Sequence, residues 1–169
     1  MLYLARNLSQ LHFGSLMAVY ADANRENGRE AWPEEPEMRQ IQLAEEEFYR
    51  YLSQVFFKTP GAICAVWEES GRYVSALRLE PYRDGLLLEA LETDPEQRRR
   101  GYAAGLIEAV QTYLGEGRKL YSHVDKRNLP SLKTHEKCGF RRIADVAVYV
   151  DGSVNRKACT MCWDDKPSV

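Results

Sequence analysis

The apolar residues of this chain change period twice, and those changes restrict the fold more than any single motif does. From Asn7 onward Leu8, Leu11, Leu16 and Val19 recur at roughly helical spacing as far as the polar stretch 24–28. After the turn at 32–36, Met38, Ile41, Ala44, Phe48, Tyr51, Leu52 and Val55 mark one face of a longer helix. Residues 62–67, 73–79 and 86–91 are then rich in β-compatible types and separated by Glu-Ser-Gly and Pro-Tyr-Arg-Asp-Gly turns, which predicts a three-strand meander. Past Asp94-Pro95 the helical stripe returns at Ala103, Leu106, Ile107, Val110, Tyr113 and Leu114, and it stops at 115–117. A short strand at 2–5, a strand at 120–124 and a helix at 130–137 closed by Gly139 complete the reading, with two last strands at 140–150 and 157–163 joined around Asp151-Gly152. The order βααβββαβαββ is that of a mixed α/β chain.

With 169 residues, 44% apolar and 28% charged, the chain has the size and balance of one folded domain spanning 1–169. A formal net charge of −2 gives no global attraction to nucleic acid or to an anionic membrane, so a nucleic-acid role would rest on the local clusters Arg98 to Arg100 and Arg141-Arg142. The longest apolar run, 62–67, is too short to span a bilayer, and the first residues have no cationic region leading into an apolar one. The spacing of Cys64, Cys138, Cys159 and Cys162 suggests no disulfide framework, and reduced thiols in a cytoplasmic protein are expected. Cys159 and Cys162 read formally as CxxC, but strand alternation would place them on opposite faces, which predicts two semi-buried thiols and no metal site.

The segment Thr93-Asp-Pro-Glu-Gln-Arg98-Arg99-Arg100-Gly101-Tyr102-Ala103 lies between a predicted strand and a predicted helix. A helix start presents backbone N–H groups with no intrahelical acceptor and the positive end of the macrodipole, which together suit a phosphate. Gly101 and the small Ala103 let that backbone come close to a ligand; a glycine turn with solvated arginines is the alternative. The segment lacks GxGxxG and a Gly-Lys-Ser/Thr ending, which disfavours a dinucleotide or a nucleoside triphosphate.

Arg98-Arg-Arg-Gly101-Tyr-Ala103 resembles the R-x-x-G-x-G/A motif of the GNAT superfamily of acetyl-CoA-dependent N-acetyltransferases. The stretch Asn128-Leu-Pro-Ser131-Leu-Lys-Thr-His135-Glu-Lys-Cys-Gly139-Phe140 resembles that family's later N-x-x-A-x-x-x-Y-x-K-x-G-F segment. The likeness runs from about 86 to 150. It implies a single-domain fold with a mixed, mostly antiparallel sheet that splays between its fourth and fifth strands, and acetyl-CoA wedged in the split. The pantetheine would bond to the backbone at Leu91, Glu92 and Thr93, and the pyrophosphate to amides from Arg98, Arg99 and Arg100 through Gly101, Tyr102 and Ala103. Asn128 and Ser131 would meet the cofactor from the other side.

Such an enzyme moves an acetyl group to a primary amine, of a small molecule or of a protein or peptide, by direct attack on the thioester. It therefore needs a proton acceptor, a polarised carbonyl and a fate for the thiolate. His123, in Tyr121-Ser-His123-Val124, resembles the place where some members carry their base, although a strand histidine satisfied by its neighbours fits the same residues. Glu89 and Glu92 are its rivals, and strict alternation would put them on opposite faces, leaving only one toward substrate. His135 departs from the family by standing where a tyrosine usually protonates the thiolate; either its protonated or Nε2–H imidazole does this work, or Tyr102 or Tyr149 does.

The aromatics Trp32, Phe48, Tyr49, Tyr51, Phe56 and Phe57 are core or acceptor lining. Glu34, Glu35, Glu37 and Glu45 to Glu47 are a solvated surface or a lure for a cationic amine. A binding or sensor module that keeps the fold and the acyl-CoA cradle without efficient turnover is the alternative function. Dimers are common in the family, and the final strand is a candidate to pair or exchange across one.

Overall fold

A computed structural model describes residues 1–164. The chain opens with β1 (Leu2–Ala5), which pairs antiparallel with β2 (Ile63–Glu69) in the register Leu2↔Trp67 to Ala5↔Cys64. Where the apolar spacing predicts one helix from Asn7 there are three pieces, a 3-10 turn Leu8–Gln10, α1 (Phe13–Val19) and α2 (Ala21–Ala31). Caps make the division. The Gln10 side chain accepts from the Arg6 and Asn7 amides, and His12 Nδ1 accepts the Ser15 N–H at 3.1 Å to start α1. At Tyr20 the backbone leaves helical geometry (φ −91°, ψ 16°), and α2 then continues through the polar stretch expected to end it.

That continuation depends on α3 (Glu37–Gln54) crossing over Gly28. A β-carbon on Gly28 would lie 2.5 Å from the Gln40 carbonyl oxygen, and Gln40 Nε2 donates to the Trp32 carbonyl at 2.9 Å. The amphipathic reading of α3 holds in its middle, where Ala44 and Leu52 are buried, but fails at both ends, since Met38 is 86% and Val55 54% exposed.

The predicted meander is present as β2, β3 (Arg72–Tyr82) and β4 (Gly85–Thr93), joined by two-residue turns at Ser70-Gly71 and Arg83-Asp84. Then come α4 (Tyr102–Leu114), β5 (Lys119–Asp125) and α5 (Leu129–Lys137), whose cap Asn128 accepts from the Ser131 amide at 3.2 Å. The long strand expected at 140–150 is broken. Only β6 (Arg141–Ala144) stays in the main sheet, while β7 (Ala147–Val148) leaves it to form a hairpin with β8 (Val154–Asn155). Asp151-Gly152 turns that hairpin and does not join the last two sheet strands.

The final strand, β9 (Ala158–Asp164), inserts between β5 and β6, giving the order β1-β2-β3-β4-β5-β9-β6 in which only β4 and β5 run parallel. The α/β class and the mostly antiparallel sheet therefore match the expectation, with more elements than βααβββαβαββ. β9 is paired along its length with β5 and over Thr160–Cys162 with β6, so both of its edges carry partners within the chain.

The sheet separates two apolar layers. One face, with Leu77, Leu79, Leu88, Leu120 and Met161, packs against Leu106, Ile107 and Val110 of α4; the other, with Cys64, Val66 and Ala76, packs against Leu16, Val19 and Leu52 of the N-terminal helices. Cys159 belongs to the first layer, whereas Cys162 lies with Tyr82, Leu87 and Tyr121 on the opposite face, as the alternation requires. All four cysteines are free and buried.

Gly28→Ala should force α2 and α3 apart and destabilise the protein by about 1–3 kcal/mol, read as a lower denaturant midpoint at unchanged slope. An unchanged midpoint would show that the α2–α3 contact tolerates a methyl group.

Candidate active site

The parallel ladder between β4 and β5 has only three rungs, Leu86↔Leu120, Leu87↔Tyr121 and Leu88↔Ser122. Beyond Leu88 and Ser122 the strands part, so Glu89 and His123 are the first residues past the fork. The parting coincides with a bulge. The β3–β4 register steps from Arg78↔Glu89 to Ala76↔Glu92, two residues on β3 against three on β4, and Ala90 takes φ +50°. A non-glycine residue in that region carries strain. The bulge is held from the helical side, where the buried Tyr20 hydroxyl donates to the Ala90 carbonyl at 2.7 Å. Burial pushes the Tyr20 phenol well up, which keeps it a donor.

The bulge corrects the alternation argument. Because Arg78 and Ala76 share a face of β3 and stand opposite Glu89 and Glu92, both carboxylates lie on one face, the face covered by the N-terminal helices. There, α2, α3 and the bulge enclose a cleft of ≈ 450 Å³ lined by Tyr20, Asn24, Glu47, Phe48, Tyr51, Arg78 and Glu92, among others. Phe48 and Tyr51 are thus both lining and packing. Glu92 is held above the usual carboxylate range, first by burial and then by Asp22 and Glu26, against the opposing pull of Arg98. Glu89 stands 3.5 Å from Arg78 Nε.

His123 shares the face of Tyr121 and is covered by the β7–β8 hairpin. Its ring meets Tyr82 and Tyr149 edge-on with centroids 5.5 and 5.2 Å away, and neither ring nitrogen has a hydrogen-bond partner among the described residues. The hairpin is anchored by the Tyr82 hydroxyl donating to the Val148 carbonyl and by Thr160 Oγ1 donating to the Val146 carbonyl at 2.7 Å. Burial, aided by Arg83, lowers the His123 pKa below 6.5 and favours the neutral imidazole.

His135 is placed differently from the expectation. It is 1% exposed, packs edge-on against Phe140, and its Nδ1 lies 2.8 Å from the Ser131 carbonyl oxygen. A carbonyl only accepts, so Nδ1 carries the proton and Nε2 is left bare. The Nε2–H tautomer is therefore not the one held, and burial lowers the pKa of the imidazolium that would supply a second proton. Tyr149 accepts from Asn155 Nδ2 at 3.1 Å, and Tyr102 sits in the first turn of α4.

On β4, Glu92 and Thr93 pair with β3 on one edge and have no rung to β5 on the other, so the edge from Leu91 to Thr93 is open for backbone hydrogen bonds. A 3-10 turn, Pro95–Gln97, capped by Asp94 Oδ1 on the Glu96 amide at 2.9 Å, leads into the Arg98–Gly101 bend. Arg99 and Gly101 take φ +63° and +83°, and the first amide bonded back within α4 is that of Gly105, to the Gly101 carbonyl at 2.9 Å. The N–H groups before it are the orphans that a pyrophosphate would take.

A β-carbon at Gly101 or Gly105 would meet nothing within 4 Å, so the backbone faces open space along the start of α4, which fits a cofactor lying against it. Arg98 turns the other way, toward Asp22 Oδ2 at 2.7 Å and Glu92 Oε2 at 3.9 Å. Its side chain belongs to the acidic rim of the cleft, leaving Arg99 and Arg100 exposed beside the cradle. Asn128 and Ser131 cap and begin α5, the helix following β5 on the far side of the fork. Tyr20, Arg78, Ala90 and Gly105 were not singled out from sequence; only a strand arginine amid apolar alternation gave any signal.

The family described as "Acetyltransferase (GNAT) family" matches residues 18–140. No curated protein sequence matches the chain. Among solved structures, a GNAT-family acetyltransferase from Desulfovibrio desulfuricans superposes with TM-score 0.61 at 14% identity, covering 98% of this chain and 100% of that one. A spermidine N-acetyltransferase variant from Vibrio cholerae gives 0.59 at 20% identity over 98% and 95%. The PaiA N-acetyltransferase of Thermoplasma acidophilum in complex with coenzyme A gives 0.58 at 13% identity over 97% and 99%. At these identities the likeness is one of fold.

Both lowered histidines give stability a defined pH dependence. The unfolded chain takes up protons first, so their contribution is complete above 6.5 and is lost as pH falls below 6.5 toward the folded-state values. Thermal unfolding from pH 7 to 5 should show this descent, and His135→Gln should make it shallower; an identical slope in the variant would remove His135 as a contributor.

Proposed function

From the membership of this chain in the GNAT acetyltransferase family, we propose that it transfers the acetyl group of acetyl-CoA to a primary amine, with the whole chain acting as one N-acetyltransferase domain. The observation that carries the reading is the fork. The ladder between β4 and β5 stops at Leu88↔Ser122, and the open edge beyond it leads to the Gly101 turn at the N-terminus of α4. A strand edge and a helix start in that order suit a ligand with amide groups at one end and a pyrophosphate at the other.

In this assignment the backbone of Leu91, Glu92 and Thr93 bonds the pantetheine arm, the amides from Arg99 to Ala103 take the pyrophosphate, and Asn128 and Ser131 border the cofactor from α5. The cofactor, when bound, supplies an activated acetyl thioester. The acceptor enters from the opposite face through the cleft between α2, α3 and the bulge, where Glu47 and Glu92 favour an ammonium.

His123, one residue past the fork with both nitrogens unpartnered among the described residues, removes the proton that keeps the acceptor nitrogen from attacking. Glu92, on the cleft wall with Glu47, is the carboxylate that receives the ammonium. Glu89 stands beside Arg78, 3.5 Å from its Nε, on the same face as Glu92. The new N–C bond replaces the C–S bond, whose electron pair leaves on sulfur. Of the two protons the ammonium gives up, one passes through His123 to solvent and the other ends on the thiol. His135 is a structural residue of α5. The free, buried cysteines agree with the cytoplasmic setting expected for this reading.

Calorimetric titration with acetyl-CoA, followed by thiol release on a panel of amines, tests the proposal. Binding with turnover is expected, whereas binding without thiol release on any acceptor would make the chain an acyl-CoA-binding module of the same fold. Gly101→Val should abolish acetyl-CoA binding, because the side chain blocks the approach to the helix start; retained affinity in a folded variant would sink the cradle. His123→Ala should lower kcat by about 10²-fold or more with little change in acetyl-CoA affinity. A preserved acid limb in its pH–rate profile would move the base elsewhere.

A further inference from the structure

The acceptor cleft holds a buried cation that amine recognition does not call for. Arg78 extends from β3 into the wall of the ≈ 450 Å³ cleft with its side chain only 15% exposed. Its guanidinium carbon lies 5.0 Å from the centroid of Tyr51 and 5.6 Å from those of Phe48 and Phe56, so three rings fix the plane of the group. The only ion pair it makes among the described residues, to Glu89 at 3.5 Å, lacks hydrogen-bond geometry: Nε and Glu89 Oε1 are both buried without a hydrogen-bond partner. The two terminal nitrogens make no hydrogen bond among the described residues either.

A guanidinium that is pre-oriented, largely desolvated and short of acceptors is a site for a planar anion held by two parallel hydrogen bonds. Across the same face, Glu92 is the diagonal neighbour of Arg78, and Glu47 lines the cleft as well. A cation and two carboxylates therefore line one cleft, an arrangement that suits a small molecule with opposite charges at its two ends.

Resting on the transferase reading above, we infer that the acceptor is a small zwitterion, a free amino acid whose carboxylate is held by Arg78 while its ammonium faces Glu92 and its apolar body lies against Phe48 and Tyr51. A polyamine is a poorer fit, since it would bring a second cation against Arg78. Arg78 is thus a specificity-determining residue, oriented by the three rings around it with Glu89 3.5 Å from its Nε.

The test compares an α-amino acid and an ω-amino acid with the corresponding amides and with the carboxylate-free amines, first by calorimetric titration without acetyl-CoA and then by thiol release with it. The intact acids should bind about 10- to 100-fold more tightly than their amides, and thiol release should follow the same order. Arg78→Lys keeps the charge but loses the fork. It should raise KM for the acid acceptor more than for its amide, with kcat less affected, whereas a purely structural role would lower kcat/KM for both alike. Amides or simple amines that bind and turn over as well as the acids would overturn the inference and leave the transferase reading intact. Absence of both acetyl-CoA binding and thiol release with every acceptor would overturn the two together.

Discussion

One extra residue in β4 organises this molecule. The bulge at Ala90 bends the strand just beyond the last rung to β5, and the hydroxyl of Tyr20 holds the displaced carbonyl. Three consequences come from that one irregularity: the sheet opens into a fork, the β4 edge beyond the fork is freed for an external backbone partner, and Glu89 and Glu92 turn to the same face. The strain at Ala90 is offset by a buried hydrogen bond from the helical layer. The N-terminal helices therefore do more than cover the sheet, because the residue that separates α1 from α2 also braces the site.

The two faces of the fork differ in chemistry because they differ in what covers them. On the α4 side, glycines at 101 and 105 leave backbone exposed beside orphan amides, an environment for phosphate. On the α2–α3 side, aromatic rings, the buried Arg78 and carboxylates line a cleft of ≈ 450 Å³. There Arg78 lies among aromatic rings, and burial raises the Glu92 pKa against the opposing pull of Arg98. The β7–β8 hairpin extends this second face over His123 and gives the imidazole its aromatic walls.

Much of the fold was legible because it is written locally. The meander follows from alternation and turn residues, α4 from an apolar stripe ended by glycine, α5 from its Gly139 stop, and the bend before α4 from a glycine that takes φ +83° at the helix start. The break between α1 and α2 was not legible, since the apolar spacing continues across Tyr20, whose backbone leaves helical geometry while its hydroxyl reaches a residue seventy positions away. The departure of β7 from the sheet was hidden for a like reason: its anchors, the Tyr82 hydroxyl and Thr160 Oγ1, come from other strands.

The sequence by itself determined the class of the fold, the glycine turn that starts α4 and the candidate proton acceptors, because periodicity, glycine conformation and side-chain chemistry depend on near neighbours along the chain. Tertiary structure alone decided that the last strand lies between β5 and β6, that Glu89 and Glu92 share a face, that His135 keeps its proton on Nδ1, and that Arg78 lines the cleft between α2, α3 and the bulge. Each of these depends on which strand pairs with which and in what register. A single inserted residue reverses the facing of every side chain after it, and no local property of the sequence records where that insertion is absorbed.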